Sequence, residues 1–255
     1  MTDLFSQPAI VTGGASGLGA AVAWALADRG APVCLFDLDT DRVRDQAATM
    51  GATWQAVDVA DPESVAEAFA AARAKQGQER VLVNCAGIGP AAKTTSRGAP
   101  HDPGLFAKVI GVNLLGSFYC ASQAATGMVG EDPFGAQGER GLIVNTASVA
   151  AYEGQMGQVA YAASKGGIVG MTLPMARDLA PKGVRVVTVA PGLFKTPLLE
   201  GLPQEVQDSL GQQVPFPSRL GDPAEFAALV CHIAENPMLN GEVIRLDGAI
   251  RMAAR

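Results

Sequence analysis

The sequence predicts an α/β protein with a Rossmann-type, doubly wound sheet of seven parallel strands and helices on both faces. Two observations support this fold class. Short apolar runs alternate with helical patterns, as parallel strands joined by helical crossovers require. In addition, glycines and polar residues follow the ends of these runs, where open α/β sheets bind ligands. We therefore expect one domain, residues 1–255, with its binding site at the carboxyl edge of the sheet.

The individual elements follow from apolar runs, helical periodicity and turn residues. The predicted strands are 9–12, 32–37, 53–59, 81–84, 142–146, 184–190 and 242–246. The predicted helices run from the first glycine loop to 29, then over 41–50, 62–75, 105–128, a segment around Tyr161 to 180, and 223–235. Residues 198–220 are rich in Pro, Gln and Leu, and we expect a substrate lid around 194–220 with four apolar residues: Leu198, Leu199, Leu202 and Phe216.

Composition argues against several function classes. The net charge is −6 with no long basic run, which disfavours a nucleic-acid partner or an anionic membrane surface. No apolar run reaches the roughly 18 residues of a membrane span, and the first residues resemble no signal peptide. The four cysteines form no CxxC motif and the two histidines are scattered, so we expect reduced thiols, a cytoplasmic protein and no metal site.

A glycine loop follows the first strand directly. Residues 12–19 read T-G-G-A-S-G-L-G, and an alanine-rich helical pattern comes next. Glycines allow the backbone to turn sharply and approach a pyrophosphate, while the helix N-terminus supplies N–H donors and a positive dipole end. Because the loop lies between a strand and a helix, it predicts a dinucleotide site.

Two acids follow the second and third predicted strands. Asp37 lies about twenty residues beyond the glycine loop, where a carboxylate accepts hydrogen bonds from the adenosine ribose and repels a 2′-phosphate. This position favours NAD over NADP as the cofactor. Asp58 can accept from the adenine amino group. Both acids can instead cap helices, but Asp39 or Thr40 could cap as well as Asp37, which leaves Asp37 free, and Asp61 is a better candidate than Asp58.

The chemistry is expected from Ser148, Tyr161 and Lys165. Tyr161 and Lys165 are four residues apart, so on a helix they share one face. A cation held there should lower the phenol pKa, and such a phenol can exchange a proton with an alcohol oxygen near neutral pH. Ser148 follows an apolar strand and can place a hydroxyl against the same oxygen. The alternative is a core tyrosine beside a surface lysine. Asn113, flanked by apolar residues in a helical pattern, is expected to be buried and hydrogen-bonded.

Together these motifs resemble the short-chain dehydrogenase/reductase family over essentially the whole chain. The matching motifs are T-G-x3-G-x-G at 12–19, Asp37, N-x-A-G at 84–87, Asn113, Ser148, Y-x3-K at 161–165 and P-G at 191–192. The resemblance implies a catalytic set of Ser148, Tyr161, Lys165 and Asn113, with Asn113 holding a water that links Lys165 to solvent. It also implies a set of cofactor contacts: Gly13, Ser16, Gly17, Leu18, Gly19, Asp37, Asp58, Val59, Cys85, Ala86, Gly87, Tyr161, Lys165, Pro191, Gly192, Phe194 and Thr196.

Within the family, the chain is most similar to the type II 3-hydroxyacyl-CoA dehydrogenases, a subgroup that also carries a 17β-hydroxysteroid dehydrogenase name. Cys85, where the family usually has asparagine, agrees with this subgroup. The subgroup implies NAD, a homotetramer and interconversion of (S)-3-hydroxyacyl-CoA and 3-ketoacyl-CoA, with Ser148, Gln155 and Tyr161 at the substrate. Lys195 departs from the pattern and is either a contact for a CoA phosphate or a solvated lysine.

Two other functions remain open at this point. One keeps the NAD chemistry on a steroid, a secondary alcohol or a small ketone, since the apolar lid residues suit these as well as acyl chains. The other is a non-catalytic NAD-binding protein, because fold alone does not fix function. The intact Ser148, Tyr161 and Lys165 set argues against the second.

Overall fold

A parallel sheet of seven strands forms the centre of the computed structural model, which describes residues 4–201 and 203–254. In chain order the strands of the described residues are β1 (Ala9–Thr12), β2 (Val33–Asp37), β3 (Thr53–Ala56), β4 (Val81–Asn84), β5 (Thr95–Ser96), β6 (Ala99–Pro100), β7 (Gly141–Thr146), β8 (Val184–Pro191) and β9 (Val243–Leu246). The sheet order is β3-β2-β1-β4-β7-β8-β9, and β5 and β6 form a separate antiparallel hairpin. This topology confirms the predicted doubly wound fold.

Helices cover both faces of the sheet. In the described residues they are α1 (Gly17–Ala27), α2 (Thr40–Met50), α3 (Pro62–Gln76), α4 (Pro103–Ile110), α5 (Gly116–Gly130), α6 (Ala150–Glu153), α7 (Val159–Leu179), α8 (Pro197–Glu200), α9 (Gln204–Gln212) and α10 (Pro223–Glu235). Successive strand residues point to opposite faces. Thus Val11 packs in the core with α1, α2 and α10, whereas Ile10 packs in the core with α3 and α5.

Three helices begin at an Asp-Pro pair. Asp61, Asp102 and Asp222 each accept a hydrogen bond from a backbone N–H of the first turn, and the following proline occupies a position that needs no donor. Asp39 caps α2 in the same way, accepting from the Arg42 N–H at 3.1 Å. The structure therefore confirms Asp61 as a cap and, of the two candidates for α2, selects Asp39 over Thr40.

Several predicted boundaries were wrong. The third strand ends at Ala56 rather than at 59, because the chain turns at Asp58, whose Oδ1 accepts from the Ala60 N–H at 2.9 Å. The helix predicted over 105–128 starts at Pro103 and contains a π-helical turn, Gly111–Leu115. The weakly patterned stretch after 197 contains α8 and α9. Leu202 lies outside the described residues, as does the side chain of Leu198.

The long helical stretch Pro103–Gly130 contains an 18-residue window with a mean hydropathy of 1.4 and is, by length and composition alone, able to cross a membrane. It is the one such stretch among the described residues. Core helices of globular proteins pass the same test. Here Asn113 lies within the stretch, fully buried in the protein and hydrogen-bonded to neighbouring segments.

Candidate active site

A cavity of about 640 Å³ opens at the carboxyl edge of the sheet. It is lined by the glycine loop, by the segments that follow β2, β3, β4, β7 and β8, and by α7. Each predicted cofactor contact lines it: Gly13, Ser16, Gly17, Leu18, Gly19, Asp37, Asp58, Val59, Cys85, Ala86, Gly87, Tyr161, Lys165, Pro191, Gly192, Phe194 and Thr196. Ser148 lines it as well, so the predicted nucleotide contacts and the Ser148, Tyr161, Lys165 set share one cavity.

Two glycines of the loop, Gly13 and Gly19, have no room for a side chain. Gly13 has a φ of +65°, and a Cβ there would lie 2.8 Å from the Ala86 nitrogen. A Cβ at Gly19 would collide with the Gly13 carbonyl oxygen. The loop therefore needs glycine both for its turn and for the close packing of α1 against it, which leaves the α1 N-terminus open toward the cavity.

Thr12 ties the glycine loop to the loop after β4. Its Oγ1 accepts hydrogen bonds from the backbone N–H groups of Cys85 and Ala86, each at 3.1 Å. The parallel register that pairs Thr12 with Asn84 makes this contact possible. Thr12 was recognised in the sequence only as part of the glycine motif, and its role as a tie depends on strand register.

Asp37 has a second task beyond the one predicted. Its Oδ2 accepts from the Ala15 N–H at 3.0 Å, and its Oδ1 accepts from the Asp39 N–H at 3.1 Å. The carboxylate is thus hydrogen-bonded to the glycine loop and to Asp39. The sequence had suggested instead that it would be free of such partners. Each carboxylate oxygen has a further lone pair, and Asp37 still lines the cavity. Asp58 is exposed beside it at the same end.

Lys165 is buried without a carboxylate. It is 4% exposed, and its Nζ donates to the Thr146 carbonyl oxygen at 2.7 Å. Among the residues that the structure describes, no acid lies within ion-pair distance of it. Burial lowers the pKa of Lys165 to about 8. The ammonium group lies 5.6 Å from the centre of the Tyr161 ring, which places the two side chains on one face of α7, as predicted.

The predicted lowering of the Tyr161 pKa is wrong. Burial raises the pKa of the phenol, and the nearby Ser148 hydroxyl offsets this only in part. The Lys165 Nζ is directed to Thr146 rather than to the phenol oxygen, so its charge does not overcome desolvation. The phenol consequently keeps its proton at neutral pH.

Asn113 supports the site from outside the cavity lining. It is fully buried in the π-helical turn, its Oδ1 accepts from the Ile88 N–H at 2.8 Å, and its Nδ2 donates to the Ile88 carbonyl at 2.9 Å and to Ser164 Oγ at 3.0 Å. A Cβ built on Gly87 would lie 3.3 Å from Asn113 Oδ1 and 3.7 Å from Lys165 Nζ. Asn113 is therefore close to Lys165, across the loop that follows β4.

By resemblance, Gln155 is expected to contact the substrate. Its side chain donates to the Ala253 carbonyl at 3.1 Å and does not line the cavity. Gln158 lines the cavity instead, and its Oε1 accepts from the Gln155 N–H at 2.9 Å. The hydrogen bond to Ala253 directs the Gln155 side chain toward the segment after β9, which spacing along the sequence cannot indicate. Its contact with the substrate stays a prediction.

The predicted lid is divided between cavity and solvent. Phe194, Thr196 and Leu199 line the cavity, whereas Phe216 is 83% exposed and does not. Lys195 is also exposed and outside the lining, which agrees with the reading of a solvated lysine.

Further residues that sequence reasoning missed also border the cavity: Ile88, Lys108, Val112, Leu193 and Met252.

Cys85 lines the cavity as an unreactive thiol. Burial raises its pKa to about 11, and its Sγ lies 3.5 Å from Thr146 Oγ1. The described residues contain no group of three or more His, Cys, Asp or Glu side chains that could hold a metal ion.

Comparisons with known proteins agree with this geometry. The family model described as short chain dehydrogenase matches residues 7–207. The human protein 3-hydroxyacyl-CoA dehydrogenase type-2 is 55% identical over 248 residues, covering 96% of this chain and 95% of its own. A Sphingomonas sp. (strain SKA58) protein, 2-dehydro-3-deoxy-L-rhamnonate dehydrogenase (NAD(+)), is 40% identical over 227 residues, covering 89% and 87%.

Among solved structures, a crystal structure of 3-hydroxyacyl-CoA dehydrogenase type-2 from Mycobacterium avium superposes with a TM-score of 0.94 at 40% identity, covering 100% of both chains. The glycine loop, Ser148, Tyr161 and Lys165 are thus found in a chain whose sequence and fold match this family throughout. The chain therefore belongs to the short-chain dehydrogenase family, and it is an oxidoreductase of the kind that works with NAD or NADP.

Proposed function

We propose that this protein is an NAD-dependent dehydrogenase that interconverts (S)-3-hydroxyacyl-CoA and 3-ketoacyl-CoA. The observation that carries the chemistry is the meeting of Ser148, Tyr161 and Lys165 in the cavity that also contains the glycine loop. The substrate class rests on the 55% identical human relative, which is named for that activity and is matched over nearly its full length.

The residues present fit a dinucleotide. Gly13, Gly17 and Gly19 line the cavity at the N-terminus of α1, where backbone N–H groups and the helix dipole suit a pyrophosphate. Asp37 would hold the adenosine ribose, and its negative charge disfavours the 2′-phosphate of NADP. Asp58 and Val59 would border the adenine. Bound NAD supplies the hydride acceptor for oxidation, and NADH the donor for reduction.

Tyr161 moves the substrate proton. In oxidation it takes the hydroxyl proton of the substrate as general base, and in reduction it gives a proton to the carbonyl oxygen. The raised pKa of Tyr161 keeps the phenol protonated, which prepares the protein for reduction. Ser148 holds the substrate oxygen. The charge of Lys165, fixed by the Thr146 carbonyl, favours tyrosinate when a proton must be accepted.

Asn113 completes the proposed machinery. We assign it to hold a water that links Lys165 to solvent, as the family resemblance implies. Its closeness to Lys165 across Gly87 supports this role. Its side-chain hydrogen bonds to Ile88 and Ser164 keep the π-helical turn in register with the loop after β4.

The test is oxidation of NADH by acetoacetyl-CoA, with NADPH in parallel. Turnover with NADH and little with NADPH is expected, because Asp37 repels the 2′-phosphate. Turnover of a steroid or a simple ketone, with none of acetoacetyl-CoA, would overturn the substrate class and leave the dehydrogenase chemistry in place. NADH binding without turnover of any carbonyl compound would overturn the enzyme assignment itself.

We also propose that the chain acts as a homotetramer in the cytoplasm. Exposed apolar side chains on α5 and α7, Phe118 at 47% and Leu173 at 44%, support an assembly that covers them. Four free cysteines support a reducing compartment. Light scattering of the purified protein tests the assembly, and fractionation of the source cells tests the location.

A further inference from the structure

The chain turns back toward the cavity after β9. Ile250 is 1% exposed and anchors this turn, and Met252 lines the cavity. In the sheet order, β9 lies at the edge opposite β3. Met252 therefore borders the end of the cavity remote from Asp37 and Asp58, which is the end that the proposed function gives to the substrate.

An ion-pair cluster clamps this turn in place. Arg245 donates to both carboxylate oxygens of Glu153, at 2.8 and 3.0 Å, and to Asp247 at 2.8 Å. Arg251 pairs with the same two acids, at 3.4 Å to Glu153 and 3.2 Å to Asp247. The side chains of Arg245 and Glu153 are only 22% and 23% exposed. A network of this kind holds its geometry better than isolated surface pairs do.

Three more hydrogen bonds fix the segment 252–254, which we call the tail, along residues 153–156. The Met252 N–H donates to Glu153 Oε2 at 3.3 Å, the Ala253 carbonyl accepts from Gln155 Nε2 at 3.1 Å, and the Ala254 carbonyl accepts from the Met156 N–H at 3.1 Å. Residues 153–156 lie between Ser148 and Tyr161 in the chain. The tail is thus held against the segment that connects two of the catalytic residues.

We propose that Met252 is a specificity-determining residue that packs against the acyl chain of the substrate, and that Glu153 is the positioning residue that holds it there. The assignment rests on the proposed function. A methionine suits this place, because its unbranched thioether is apolar and adapts to chains of different shape. Glu153 itself does not line the cavity, so it acts through the tail.

The first test compares two substrates in Met252→Ala. For 3-ketodecanoyl-CoA we expect kcat/KM to fall about tenfold, mainly through KM, because an apolar contact with the chain is lost. For acetoacetyl-CoA, whose acyl chain is much shorter, we expect kcat/KM to stay within about twofold. Met156→Ala is the matched control, since Met156 is 48% exposed and outside the cavity lining. Equal changes with both substrates, or none with either, would overturn the assignment of Met252.

The second test asks whether Glu153 acts through Met252. Glu153→Gln should raise KM for 3-ketodecanoyl-CoA about threefold and leave kcat unchanged. The double variant with Met252→Ala should be no worse than Met252→Ala alone, because coupled residues are not additive. Glu131→Gln is the control: it weakens another Arg–Glu pair, with Arg80 at 3.1 Å, away from the cavity. Additive effects in the double variant would exclude a positioning role.

Failure of the proposed function can be told from failure of this inference. If the wild-type protein does not turn over acetoacetyl-CoA, the substrate class is wrong. The same variants are then compared on short and long straight-chain ketones with NADH. A chain-length effect confined to Met252→Ala and Glu153→Gln would still support the tail as a substrate wall, and its absence would refute that role.

Discussion

Among the described residues, buried charged side chains lie at both ends of the strands of the central sheet, the amino edge and the carboxyl edge, but only those at the amino edge have a counter-ion. At the amino edge, Arg185 donates to Glu139 at 2.7 Å and to four backbone carbonyls. Arg73 forms a bidentate ion pair with the buried Glu79. At the carboxyl edge, Lys165 is equally buried but has a single neutral partner, the Thr146 carbonyl.

This difference separates structural from chemical use of charge. A buried ion that has its counter-ion contributes to a stable arrangement, and removal of either partner leaves an uncompensated charge. A buried ammonium group without a carboxylate is costly, and its pKa shifts toward neutrality. In this protein such a group lies 5.6 Å from the centre of the Tyr161 ring, where the proposed function gives it a role. Four substitutions test whether the two groups of charges differ in this way.

Tyr161→Phe should have the largest effect on activity. Loss of the phenol proton should lower kcat by about 10²- to 10⁴-fold, the usual contribution of a general acid or base. The ring and its packing are kept, so NADH affinity and thermal unfolding should match the wild type. Steady-state kinetics and fluorescence titration with NADH measure the two quantities. Near-normal turnover would refute the assignment.

Arg185→Met should have the largest effect on stability. It leaves the Glu139 carboxylate buried without its cation, which should cost about 3–5 kcal/mol of unfolding free energy. Denaturant titration measures this loss. Because Arg185 lies at the edge remote from the cavity, kcat of the folded fraction should be unchanged. A fall in kcat with normal stability would contradict the division between the two edges.

Lys165 should make stability rise with pH. Its pKa falls from 10.5 to about 8 on burial, so between these values the unfolded chain binds a proton that the folded protein has released. The free energy of unfolding should therefore increase as the pH rises from about 8 to 10.5. Below about pH 8, Lys165 is protonated in both states, so the full free-energy cost of burying its charge remains. Lys165→Met should reduce that slope, gain stability at neutral pH and lose activity. Denaturant titrations of the cofactor-free protein across the window test the sign.

Asp37→Ala should give a smaller effect, on cofactor choice. Without the carboxylate, the preference for NADH over NADPH in kcat/KM should fall by about tenfold, since one repulsive charge is lost. Kinetics with both cofactors at equal concentrations measure the ratio. Asp39→Ala is the control, because Asp39 caps α2 instead. An unchanged ratio would mean that Asp37 serves the loop alone.

Much of the fold and the nucleotide end of the site could be predicted from the sequence. Strand 81–84 and helix 223–235 are defined by local apolar pattern and an Asp-Pro start, and the structure reproduces both. The glycine loop follows β1 directly, so its place at the strand end is fixed by local sequence. Signals of this kind require no knowledge of distant contacts.

The remaining features depend on segments far apart in the chain. Met252 reaches the cavity only because its turn is clamped to Glu153, 99 positions away, and no periodicity indicates that contact. The same clamp withdraws Gln155 from the cavity. The pKa of Tyr161 was mispredicted because helical spacing gives the neighbour Lys165 but neither its burial nor its hydrogen bond to Thr146.

The hydrogen bond from Ala15 to Asp37 has a consequence for how cofactor preference can evolve. In the proposed function, the side chain that would discriminate between the two cofactors also accepts a hydrogen bond from the glycine loop. A lineage that moves toward NADP by losing this acid would first pass through a protein with a loosened glycine loop. Serine or asparagine in place of Asp37 could still accept a hydrogen bond from the Ala15 N–H, so the change toward NADP would not require a loosened glycine loop, in evolution or in engineering.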